Sequence, residues 1–156
     1  MDGQTRGGSG SETDADAHIL LVEDDPDDVR VILRLLDQAP ISFRVTVMEH
    51  GRKALDWLNM VGRIDDPRTP DLIILDINMP VMNGMVFLSE LRRHPVFRSL
   101  PVVTLTTSTD VDTIRRAYDF GANAVVNKAD SLDGMSQIVN TTVEFWFRIA
   151  HRYYID

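Results

Sequence analysis

Four short apolar runs in this chain each end on side chains able to do chemistry. HILLV is followed by Glu23, Asp24 and Asp25, LIIL by Asp76, LPVVTL by Thr106 and Thr107, and NAVVN by Lys128. An acid at the end of an apolar run needs a partner, because a buried charge is costly unless it is paired. Carboxylates packed together repel and raise one another's pKa, and a hard divalent cation with oxygen ligands relieves that repulsion. Glu23, Asp24, Asp25 and Asp76 therefore read together as a candidate Mg²⁺ site. A carboxylate nucleophile beside Mg²⁺ suits phosphoryl transfer, which needs in-line attack and neutralisation of the phosphoryl oxygens but little other covalent work. Lys128 can offer those oxygens a point charge and Thr106 a hydroxyl, so the expected product is an aspartyl phosphate on Asp76.

These residues meet only if the runs that carry them are strands of one sheet. HILLV, FRVTVM, LIIL, LPVVTL and NAVVN alternate with segments of helical period. Near-continuous Val, Ile and Leu predicts strands buried on both faces, and alternation with helices predicts a parallel sheet with right-handed crossovers. The expected architecture is α/β, a three-layer sandwich of five strands and five helices. In such a sheet, ligands gather outside the carboxyl ends of the strands, where the polar residues above fall.

The helix signals agree. Asp25 is a plausible N-cap, Pro26 fits the first helical position, and Asp27 with Asp28 favours the positive end of the dipole. Val29, Ile32, Leu33 and Leu36 share one helix face, with Val31 and Leu35 outside that stripe. Asn83-Gly84 opens the third helix and Gly121 stops the fourth. VGRIDDPRTP reads as a surface loop without obvious chemistry.

The chain of 156 residues, 44% of them hydrophobic, suits one globular domain. Residues 1–17 are almost free of apolar side chains and are expected to form a disordered tail, leaving 18–156 as the domain. A net charge of -8 argues against nucleic acid or an anionic membrane as partner. The absence of cysteine removes disulfide, thiolate-metal and redox readings. No run is long enough to span a bilayer and no signal-peptide pattern opens the chain, so a cytoplasmic location is expected. His18, His50, His94 and His151 lack metal-ligand spacing and read as ordinary surface or core residues.

VEDDP, LDINMP, LTTS and the strand end at Lys128, in this order, resemble the receiver domain of two-component response regulators over residues 18 to about 150. The resemblance implies a flavodoxin-like doubly wound sheet and a phosphoryl group accepted on Asp76 from the phosphohistidine of a sensor histidine kinase. It implies that Asp24, Asp76 and the main-chain carbonyl of Asn78 hold Mg²⁺, with Glu23 acting through water or orienting the metal's shell. Thr106 would move toward the phosphoryl group and Lys128 would pair with it, while the side chains of Asn78 and Ser108 would tune its lifetime.

Two positions depart from the family pattern. Val125 stands where receivers usually carry an aromatic residue, and Ala129 where a cis proline usually follows the lysine. A trans bond is expected at Ala129, because a non-proline cis bond costs about 3 kcal/mol.

FWFRIAHRY, the lysine without its proline and the extended loop before the third strand resemble stand-alone receivers that partner phytochrome-type sensor kinases. With nothing expected beyond the last helix, output would be by protein contact or phosphate relay. That helix is expected from near Ser131 to about Tyr154, roughly 35 Å long. Met135, Ile138, Thr142, Trp146, Ile149 and Tyr153 form one stripe; Val143, Phe147, Ala150 and Tyr154 form a second, which predicts a homodimer through this helix. Two competing readings are an aspartate-nucleophile phosphatase, which wants a second Asp where Asn78 stands, and a phosphate-independent interaction module.

Overall fold

The computed structural model describes residues 17–79 and 82–151. In chain order these form β1 (His18–Val22), α1 (Pro26–Gln38), β2 (Arg44–Met48), α2 (Gly51–Val61), β3 (Leu72–Asp76), α3 (Gly84–Arg92), β4 (Val102–Thr106), α4 (Val111–Asp119), β5 (Ala124–Asn127) and α5 (Leu132–Glu144). A single π-helical turn, Phe145–Ile149, continues α5.

The five strands are all parallel, in the order β2-β1-β3-β4-β5. Strands β1, β3 and β4 are buried along their whole length, as continuous apolar runs require. The edge strands β2 and β5 are only half-buried, because each has one unpaired side. Alternate side chains serve opposite faces. Leu20, Val22, Ile73 and Leu75 pack with residues of α2, α3 and α4, whereas Ile19, Leu21, Leu72 and Ile74 pack with α1 and α5. The three layers and the flavodoxin-like strand order are as expected.

Some expectations shift. Ala17, assigned to the tail, is buried, and its carbonyl accepts the Arg44 N–H at 2.8 Å; residues 1–16 lie outside the described residues. Leu35 is buried and Val31 half-buried against the same core as Ile32 and Leu36, so neither stands apart from the packed face. His18 is buried beside Trp57, with its Nε2 2.7 Å from the Thr46 hydroxyl.

The largest departure is the last helix. Regular α-helix stops at Glu144, the π turn closes with Ala150 N–H to Phe145 C=O at 2.7 Å, and Ala150 is extended. A π turn inserts a residue into the helical repeat and rotates everything after it. Before that turn Met135, Val139 and Val143, four residues apart on regular α-helix, face inward, with Ile138, Trp146 and Phe147 partly buried beside them. Val143 and Phe147, expected on an outward stripe, pack on the chain's own core; Phe147 meets Phe43 edge to face at 4.9 Å. Ile149, expected on the inward stripe, is 70% exposed. Tyr153 and Tyr154 lie outside the described residues.

Candidate functional site

Ladder bonds continue just past β1 and β5, fixing their ends against the neighbouring strands β2 and β4. Glu23 N–H donates to Met48 C=O at 3.0 Å, and Lys128 N–H to Thr106 C=O at 2.8 Å. Helix α1 begins three residues after β1 because Asp25 caps it, accepting from Asp27 N–H at 2.9 Å, and Pro26 supplies the first-turn geometry. Glu23 and Asp24 are thus pinned between a strand and a capped helix. Asp76 is the last residue of β3, paired with Leu105 on β4. Behind it, Gly84 lets α3 start against the strand end: a Cβ there would stand 2.7 Å from Ile77 Cα and 2.8 Å from the Asp76 carbonyl oxygen. Gly84 N–H also donates to Ile77 C=O at 2.8 Å.

Three carboxylates converge at this rim. Glu23, Asp24 and Asp76 each place an oxygen within 4.8 Å of the others, Glu23 and Asp76 buried and Asp24 exposed. The Lys128 ammonium donates to Glu23 Oε1 at 3.0 Å and to Asp28 Oδ2 at 2.8 Å, and stands 3.7 Å from Asp76 Oδ1. Asn78 enters by its main chain, its N–H reaching Asp76 Oδ1 at 3.4 Å.

The charge balance follows from this crowding. Burial, then the Asp76 charge, pushes Glu23 up to about 7 against the pull of Lys128. Asp76 is also raised by burial, with Lys128, Glu23 and the Asn78 N–H opposing and Asp24 adding to the rise. Burial works to lower Lys128, but the Asp28 hydrogen bond, the Asp76 charge and Glu23 outweigh it and hold the ammonium firmly charged. An all-oxygen, partly desolvated set with surplus negative charge matches what a hard divalent cation needs. The residues present fit such an ion, and no other group of three possible ligands occurs among the described residues.

The remaining expected residues lie on the same rim in different states. Thr106 is buried, and its hydroxyl accepts Ser108 N–H at 3.1 Å, so it is engaged in its own loop. Asn127 holds that loop, its side-chain amide donating to the carbonyls of Thr106 at 3.3 Å and Ser108 at 2.6 Å. The Lys128–Ala129 peptide is trans, as expected. Pro80 of the LDINMP motif lies outside the described residues. At Val125 the main-chain N–H is covered by the Tyr118 hydroxyl of α4 at 3.2 Å. Two participants escaped the sequence reading: Asn127 as loop clasp and Asp28 as partner of Lys128. Asp28 carried only a helix-dipole signal, and nothing local in the sequence links it to a lysine 100 residues away.

Comparison with known proteins places the chain in a wider set. The model of the response regulator receiver domain matches residues 19–140. Response regulator Rcp1 of Synechocystis sp. is 31% identical over 128 residues, covering 82% of this chain and 87% of that protein. The crystal structure of the phosphorylated cyanobacterial phytochrome response regulator RcpA superposes with a TM-score of 0.81 at 33% identity, covering 88% of this chain and 99% of that one. The crystal structure of the Mn²⁺-bound form of Rcp1 gives 0.79 at 29% identity, over 88% and 99% of the two chains.

Proposed function

The chain belongs to the response regulator receiver domain family, and from that premise we propose that Asp76 is its phosphoacceptor, served by Lys128 and Thr106, with Mg²⁺ held by Glu23, Asp24, Asp76 and the Asn78 carbonyl. The observation that carries this reading is the convergence of three carboxylates within 4.8 Å beside an ammonium 3.7 Å from Asp76. A carboxylate oxygen of Asp76 attacks the phosphorus of a phosphohistidine; the P–N bond breaks, and its electron pair leaves with the imidazole. Lys128 and the Thr106 hydroxyl, once turned from Ser108, stabilise the charge on the phosphoryl oxygens. The bound cation supplies charge neutralisation and orientation. Attack of water on the acyl phosphate reverses the state, releasing phosphate and regenerating the carboxylate, so the protein is a self-limiting switch and not a turnover enzyme.

The donor in this proposal is a sensor histidine kinase, of the phytochrome type by analogy with the relatives, and the location cytoplasmic. No helix among the described residues is long and apolar enough to cross a membrane. The receiver in this reading takes in Ala17, which packs into the core. A second copy of the chain docks on the last helix through Phe145 and Ile149, 46% and 70% exposed and four residues apart. The test is phosphotransfer from labelled histidine kinases to wild type and Asp76→Asn, with and without Mg²⁺. Label on the wild type alone, dependent on the cation, is expected; label retained on Asp76→Asn would overturn the assignment.

A further inference from the structure

The Lys128 ammonium has three N–H donors, and in the unmodified protein two of them are committed elsewhere than to Asp76. The shorter bond, 2.8 Å, goes to Asp28 on the first turn of α1, and the other, 3.0 Å, to Glu23. Asp76, at 3.7 Å, is within ion-pair range but beyond a hydrogen bond. The lysine is nearly buried and Asp28 39% exposed, so the pair sits at the edge of the site, where a charge-assisted bond keeps part of its strength. Beside it is a small hollow of about 50 Å³ lined by Asp28, Val31, Ile32, Lys128, Ala129 and Met135, which leaves the lysine stem room to shift.

We propose that Asp28 is a positioning residue that holds the Lys128 ammonium toward α1 in the unmodified protein, so that a phosphoryl group on Asp76 must draw the lysine away from Asp28 to complete its own shell. The inference rests on the reading of Asp76 as phosphoacceptor and adds a competitor for its lysine. Asp28 on α1 and Asp76 at the end of β3 compete for the one ammonium. Asp28 therefore weakens the hold on the phosphoryl group and ties the occupancy of Asp76 to the first turn of α1.

The test uses the full chain with Mg²⁺ and beryllofluoride, a non-transferable phosphoryl mimic, in wild type, Asp28→Asn, Lys128→Ala and the double variant, with unfolding temperature measured for each. Asp28→Asn is expected to bind beryllofluoride about three- to tenfold more tightly than wild type, the range for losing a partly exposed charge-assisted competitor. In the Lys128→Ala background the same change is expected to do nothing, and Asp28→Glu to restore wild-type binding. Unchanged or weaker binding by Asp28→Asn with a lowered unfolding temperature overturns the proposal and leaves a structural tie. An equal gain with Lys128 removed also overturns it, since the effect would then be general charge repulsion. Wild type that takes up no beryllofluoride removes the phosphoacceptor reading itself, and this inference with it.

Discussion

Glu23 and Asp76 face each other across a gap too small for two unscreened charges, and this sets how the site responds to pH. With Glu23 pushed up to about 7, protons compete with a divalent cation across the neutral range. The apparent dissociation constant for Mg²⁺ is expected to rise several-fold as pH falls from 8 to 6, which calorimetric titration measures; a flat profile would contradict the carboxylate assignment. The same shift has a stability consequence. Between the unfolded value of 4.5 and the folded value of about 7, the native state binds more protons, so the contribution is complete below 4.5 and lost as pH rises through 7. In metal-free protein, Glu23→Gln is expected to gain on wild type as pH rises, by on the order of 1–2 kcal/mol at pH 8, read from urea unfolding. His18 works in the opposite sense: burial, with the Arg44 charge, lowers its pKa, so its contribution is complete above 6.5 and declines as pH falls below it.

Among the elements, α3 has the tightest connection to the site. Its first residue, Gly84, abuts the Asp76 carbonyl and Ile77 Cα so closely that any side chain displaces backbone on one side or the other. Gly84→Ala is expected to destabilise the fold by about 1–3 kcal/mol, the usual range for overpacking, and to slow phosphorylation of Asp76 by disturbing its strand end. Chemical denaturation and phosphotransfer rates check the two parts separately. At its other end α3 is anchored by Arg92, whose guanidinium donates to the carbonyls of Arg98, Leu100 and Gly121 and to the Asn123 side chain. The helix that carries the rim glycine is thereby tied to the opposite end of the sheet, and nothing in the spacing of the sequence announced that tie. The last helix was misread for a related reason. The stripes drawn on it assumed one regular helix to about Tyr154, whereas the α-helix ends at Glu144 and the π turn and extended Ala150 that follow leave Ile149 exposed.

For the whole molecule, the exposed pair Phe145 and Ile149 is the proposed seat of a second copy. Wild type is expected to run as a dimer by light scattering at high micromolar concentration, and Ile149→Asp as a folded monomer whose unfolding no longer depends on protein concentration, because burying the new carboxylate in an apolar interface is costly while exposing it is not. A monomeric wild type would sink this arrangement. What the amino-acid order determined alone was the set of strands, their parallel layering and the residues at their carboxyl ends, because apolar period and cap chemistry are local properties that survive without neighbours. It also pointed to Glu23, Asp24, Asp76 and Lys128 as neighbours, which their distances bear out, since strand ends in this topology converge at one rim. Only the tertiary structure decided which partner each takes: Lys128 closest to Asp28, Thr106 turned to Ser108, Phe147 folded onto Phe43. Those choices depend on distances between elements far apart in the chain, where differences below 1 Å select one hydrogen bond over another, and a linear pattern does not contain them.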